Sequence, residues 1–204
     1  MKKLFLSVGL ILSLLFSSYS IANPSFSETK ALAEKGDAEA QYHLGLMYGI
    51  GQGVHQDYAE AVKLFRKAAE QGYVEAQYQL GLMYDSGTGV HQDYTEAAKW
   101  LRKAAEQGDA SAQANLAHMY IQGQGVQQDY AKAIEWLKKA AEQGNVKAQA
   151  NLGVMYLQGQ GVQQDYTEAI EWLKKAAEQG HVNAQANLGY MHAKVRQDYT
   201  EATK

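Results

Sequence analysis

Cysteine is absent from the 204 residues, and proline occurs once. Without cysteine there is no disulfide framework, and a lipid-bearing cysteine near the N-terminus is excluded as well. The near absence of proline removes the strongest helix breaker from a chain rich in Ala, Leu, Gln, Glu and Lys, which points to a helical protein. Basic charge is also in short supply: 19 Lys and Arg stand against 22 Asp and Glu. A nucleic-acid surface needs a basic stripe, so that class of partner is excluded. Long apolar runs are missing too. The one run present, Leu4 to Phe16, is 13 residues, short of the ~20 that a membrane-spanning helix requires. Lys2 and Lys3 precede it, and "SSYSIAN" follows, with Ser20 and Ala22 two apart. This is the layout of a secretory signal peptide over residues 1–22, cleaved between Ala22 and Asn23. The expected product is exported, to the periplasm or beyond the cell, with no stable membrane insertion. Without Lys2 and Lys3 it carries 17 basic and 22 acidic residues, a net charge of −5.

What the chain has in abundance is itself. "AEKG" begins at Ala33, and "AEQG" begins at Ala69, Ala105, Ala141 and Ala177, each step being 36 residues. A fixed period of this length is the mark of stacked supersecondary units. The units are 37–72, 73–108, 109–144 and 145–180, preceded by a capping half-helix over 23–36 and followed by a shortened fifth unit, 181–204.

Each unit reads as two helices. In the first, Ala38 to Tyr48 forms helix A, with Ala40, Leu44, Met47 and Tyr48 on one face. "GIGQGVHQ" is a glycine-rich connection. Asp57 then offers a cap for helix B, and Glu60 is placed to bond back to the cap's own N–H, a capping box. The same D-x-x-E recurs at Asp93/Glu96, Asp165/Glu168 and Asp198/Glu201, while the third unit has Lys132 in place of the glutamate. Helix B carries Ala61, Val62, Phe65, Ala68 and Ala69 as an apolar stripe and ends at Gly72, where a left-handed residue is needed. One hairpin cannot bury both faces. Stacked hairpins share a core between helix B of one unit and helix A of the next.

"AQYHLGLMYGIGQGVHQDYAEAVKLFRKAAEQG" closely resembles the Sel-one-like repeat, a 36-residue relative of the tetratricopeptide repeat. Leu44-Gly45-x-x-Tyr48 matches that family's L-G-x-x-Y in helix A, and Ala61-x-x-x-Phe65 its A-x-x-x-F in helix B. The likeness recurs five times and covers nearly all of residues 33–204. It implies an all-α fold, an α/α superhelix (solenoid) of helix-turn-helix repeats, and a role as adaptor or scaffold. Bacterial members with this repeat are often exported and act in envelope assembly, signalling or host contact.

Internal comparison of the five copies separates two sets of helix-A positions. Gln41, Leu44 and Met47 are identical in every copy; positions 39, 42, 43 and 46 vary. At about 100° per residue the constant set spans an arc of roughly 160°, and the varied set an arc of roughly 100° opposite. The constant arc is expected to pack and the varied arc to face outward. The resemblance places helix A on a concave surface, so the varied stripe would line a groove. It comprises Glu39, Tyr42, His43 and Leu46, then Glu75, Tyr78, Gln79 and Leu82, then Asn115 and His118, then Asn151 and Val154. Aromatic and aliphatic groups held outward suit a protein partner. Asn115, Asn151 and Asn187 suit the backbone of an extended peptide. A peptide or protein is therefore the expected partner of this groove. A structural scaffold in an envelope complex, touching peptidoglycan, is the alternative.

Chemistry is thinly represented. No H-x-x-x-H or H-x-x-E-H spacing occurs, and His55 and His91 lie a whole repeat apart, so no metal or cofactor is expected. "GIGQG" does not follow a strand, and "SETK" lacks the partners of a serine nucleophile. A cysteine-rich branch of the resembling family is linked to β-lactam binding; this chain has no cysteine, which leaves a β-lactam-binding or -hydrolysing enzyme as the weakest alternative. The reading is non-enzymatic. The two ends differ. Ser25 and Glu28 form an S-x-x-E box opening a helix that covers Ala40, Leu44 and Tyr48. In the fifth unit three loop residues and the G-x-G are missing and His192 replaces a tyrosine. The edge of Leu188 and Met191 is therefore expected to be partly exposed, able to fray, to pair with a second copy or to accept a partner helix.

Overall fold

The computed structural model describes residues 25–191. All regular structure among them is helical, and no strand occurs. In chain order the helices are α1 (Phe26–Glu34), α2 (Ala38–Ile50), α3 (Tyr58–Glu70), α4 (Val74–Ser86), α5 (Tyr94–Glu106), α6 (Ala110–Gln122), α7 (Tyr130–Glu142), α8 (Val146–Gln158) and α9 (Tyr166–Glu178). A tenth, α10, is described from residue 182 to 191. The signal-peptide layout of residues 1–22, His192, the shortened loop and Asp198/Glu201 lie outside the described residues. No helix among the described residues is long and apolar enough to cross a membrane.

The chain packs as two units. The first comprises residues 25–109 with Gln124–Val126, the second Ala110–Gly123 with the residues from Gln127 onward. In the first, α1 packs on α2, α2 on α3, α3 on α4 and α4 on α5; in the second, α6 packs on α7, α7 on α8 and α8 on α9. Each helix A thus meets its own helix B, and α4 and α8 also meet the helix B before them. This is the α/α repeat architecture expected from the 36-residue period.

Helix A approaches its own helix B through a notch. A Cβ added to Gly45 would stand 2.8 Å from the Phe65 ring, and one on Gly81 or Gly153 would stand 2.7 Å from Leu101 or Leu173. The glycine of L-G-x-x-Y is thus the seat of the bulky residue of A-x-x-x-[F/L]. Phe65, Leu101, Leu137 and Leu173 are all fully buried. At the N-terminal edge, Ala33 of α1 joins Ala40, Leu44, Met47 and Leu64, with Phe26 and Tyr48 against them. Ser25 and Glu28 form the reciprocal capping box.

The D-x-x-E segments behave differently from that box. Asp57, Asp93 and Asp165 do cap, accepting from Glu60 N, Glu96 N and Glu168 N. The glutamates do not bond back. Each aspartate's own N–H already donates to the helix-A carbonyl of Tyr48, Tyr84 or Tyr156. With that donor satisfied, Glu60 pairs with Lys63, Glu96 with Lys99 and the Trp100 indole, and Glu168 with the Trp172 indole. Only half of the expected box forms, because the tight A-to-B loop uses the other half.

The invariant helix-A glutamine acts as a two-ended link. Nε2 of Gln41, Gln77, Gln149 and Gln185 donates to the carbonyl of Ala33, Ala69, Ala141 and Ala177, at 3.1–3.2 Å. Oε1 of Gln41, Gln77, Gln113 and Gln149 accepts from Nε2 of Gln71, Gln107, Gln143 and Gln179, at 2.8–2.9 Å. One buried amide therefore ties the end of the preceding helix to the end of its own helix B.

Candidate functional site

The varied positions of helix A are the candidate binding residues, and the structure sorts them. In the first unit Glu39 and Glu75 are exposed, while His43, Tyr78 and Leu82 are half-buried. Tyr42, Leu46 and Gln79, expected to face outward, are buried, at 5%, 2% and 1% exposure. The correction has a physical reason. Position 42 lies at the edge of the varied arc, beside the Gly45 notch, so its ring reaches what the notch reaches. Tyr42 packs 5.7 Å from Phe65 and 5.2 Å from Tyr73 between ring centroids, with His43 at 5.3 Å. It is a core tyrosine with a polar tip. In the second unit His118 and Asn151 are exposed and Asn115 and Val154 half-buried.

Tyr73 is the residue that sequence reasoning missed. It occupies the N-cap of α4 and makes no side-chain cap bond. The corresponding residues Asp37 and Asn145 cap with their side-chain oxygens. At this boundary a capping oxygen, ordinarily worth about 1 kcal/mol, gives way to a ring that covers Tyr42. The signal was available: position 73 is a tyrosine where 37, 109 and 145 are Asp, Asp and Asn. A local rule broken at one copy of a repeat marks a specialised place.

The same region is electrostatically distinct. His43 Nε2 lies 3.7 Å from Glu39 Oε1. Burial holds the imidazole below its ordinary range, against the opposing pull of Glu39, Glu75 and Asp37. Burial likewise pushes the Tyr42 phenol up, helped by Glu75, Tyr73 and Asp109. Glu39, Glu75, Asp37 and Asp109 thus all bear electrostatically on this aromatic cluster. One turn after Glu75, the Nε2 of Gln79 is buried with no hydrogen-bond partner. An unmet buried donor costs about 1–3 kcal/mol.

The described geometry defines an α-helical hairpin-repeat protein whose packing arc is constant and whose opposite arc varies from copy to copy. The chain belongs to the Sel1 repeat family: the family model matches residues 38–73, 74–109, 110–145, 146–181 and 182–204. Among solved structures it is similar to c5321, described as a protective antigen present in uropathogenic Escherichia coli strains and displaying an SLR fold. The TM-score is 0.82 at 46% identity, over 84% of this chain and 37% of that one. The chain therefore spans little more than a third of that relative's length. A Sel1 repeat protein from Oxalobacter formigenes matches with a TM-score of 0.77 at 38% identity, over 94% of this chain and 80% of its own. The Helicobacter pylori cysteine rich protein B, at 23% identity and a TM-score of 0.51 over 67% of this chain and 98% of that one, shares the fold alone. No curated protein matches the sequence. Sel1 repeat proteins are in general protein-interaction scaffolds and are typically non-enzymatic.

Proposed function

We propose that this chain is an exported, non-enzymatic adaptor that binds a peptide or protein segment along the varied face of its A helices. One observation carries the reading. The invariant Gln41, Leu44 and Met47 are buried in the packing arc, whereas position 39 and its copies, which read Glu, Glu, Ser and Lys from 39 to 147, stay at least partly exposed. They are acidic in the first unit, at Glu39 and Glu75, and read Ser111 and Lys147 in the second. The binding residues are the accessible subset: Glu39, His43, Glu75, Tyr78 and Leu82 in the first unit, and Asn115, His118, Asn151 and Val154 in the second. Export rests on the layout of residues 1–22.

Photo-crosslinking tests the face. A benzophenone side chain placed at position 75 or 151 should capture a protein from the producing cell's exported fraction, while one at position 67 or 103 on helix B should not. Equal capture from both faces, or none from helix A, refutes the groove. Mass spectrometry of the recovered chain should find Asn23 at its N-terminus. An intact Met1 on an intracellular chain would end the export reading.

A further inference from the structure

The first unit segregates charge between its helices. Neither α2 nor α4 contains a lysine or arginine; their charged residues are Glu39, Glu75 and Asp85. Every basic residue between 37 and 109 lies on α3 or α5: Lys63, Arg66, Lys67, Lys99, Arg102 and Lys103. Helix A in the second unit does not repeat this pattern, since Ser111 and Lys147 stand where Glu39 and Glu75 do. The acidic face is therefore a property of one part of the chain and not of the repeat.

Two further features lie on that face. The Tyr42–Tyr73 contact brings the start of α4 against α2, so Glu39, one turn before His43, and Glu75, two residues after Tyr73, border the same half-buried surface of His43, Tyr78 and Leu82. Gln79 stands one turn beyond Glu75 on the same side of α4. It is 1% exposed and its amide donor is unpartnered. The face thus offers negative charge and an apolar floor, and an amide donor in need of an acceptor is buried one turn from Glu75. Nucleic acid is excluded by the sign of the charge. A lone metal ion leaves the donor unmet, and among the described residues no group of three ligands converges. An extended peptide meets all three needs, because its backbone carries carbonyl acceptors while alternate side chains carry charge and apolar bulk.

Resting on the peptide-binding reading above, we propose that the α2–α4 face selects a basic linear peptide, seating Lys or Arg side chains between Glu39 and Glu75 and a peptide carbonyl on Gln79 Nε2. Neighbouring helices in a packed array lie about 10 Å apart, and a strand rises about 3.4 Å per residue. The two carboxylates therefore fit basic residues roughly three positions apart.

The test is selection of random dodecapeptides displayed on phage against the purified protein. The expected pool is enriched in Lys and Arg, with Asp and Glu depleted. A pool enriched without basic bias overturns this inference and leaves peptide binding standing. A pool no richer than that from empty support overturns both. A fluorescein-labelled peptide from the pool then reports affinity by anisotropy. The Glu39→Gln/Glu75→Gln protein should bind it about ten-fold more weakly, with a flatter dependence on salt. Both side chains are exposed, so the helical circular dichroism should not change. Gln79→Met removes the unmet donor and keeps the volume; the melting temperature should hold or rise while affinity falls several-fold. Unchanged affinity in the double variant overturns the charge selection, and unchanged affinity in Gln79→Met overturns the carbonyl contact.

Discussion

Gln77 is held at both ends, and this decides what its loss does. Its Nε2 donates to Ala69 and its Oε1 accepts from Gln107. Leucine at 77 would fill similar space but leave a buried carbonyl without its donor. Gln77→Leu should therefore lower stability by about 1–3 kcal/mol, read as a lower urea midpoint at unchanged m-value. That the glutamine is constant was plain from the five copies; what it bonds to was not, because its partners lie 8 and 30 residues away and are backbone and amide groups common to every helix. His43 makes the pH prediction. Its folded pKa is lowered, chiefly by burial, so between the folded and the ordinary value the unfolded chain binds the extra proton. Stability therefore rises with pH through that window and is lost as pH falls below the ordinary histidine range. His43→Asn, the residue found at 115 and 151, should flatten the dependence of the melting temperature on pH below that range. A dependence unchanged in the variant would assign the effect to other groups.

At the scale of the element, the hairpin is governed by one notch and one cap. Gly81 receives Leu101, and a branched side chain there must push the helices apart. Gly81→Val should cost about 1–3 kcal/mol, while an alanine-for-lysine change at the exposed Lys99 should cost far less. Asp93 caps α5 through two N–H groups, and Asp93→Ala should cost about 1 kcal/mol by the same denaturation assay. Helix boundaries, caps and the packing stripe were legible because they follow from local chemistry: an aspartate before an apolar stripe, a glycine after it. The reciprocal box was misread because the competing acceptor, the Tyr48 carbonyl, is supplied by loop geometry that no spacing reveals. The inward turn of Tyr42 and Leu46 was misread for a related reason. A helical wheel assigns a residue to an arc but not to a neighbour, and the neighbour that covers Tyr42 is Tyr73, from the next repeat.

At the scale of the molecule, packing is uneven along the chain. Gly153 on α8 is seated against Leu173, whereas its counterpart Gly189 on α10 has no atom within 4 Å of where a Cβ would stand. Leu188 is half-buried where Leu44, Leu80, Leu116 and Leu152 are buried, and Val182 and Tyr190 are 72% and 65% exposed. Met191, expected at an open edge, is buried instead. Hydrogen exchange should accordingly show α10 losing protection well before α8; equal protection would mean that this surface is covered in solution. The glutamine links have a consequence for how such a chain changes length over evolutionary time. Each repeat holds one socket and one plug of the same kind, so a recombination event that removes residues 37–72 as a block would set the amide of Gln77 over the carbonyl of Ala33, with Gln107 still donating to it. A crossover at any other spacing strands a buried amide at the joint. Genes of this design are therefore expected to gain or shed whole repeats with these links kept, and lineages to differ by multiples of 36 residues rather than by fractions.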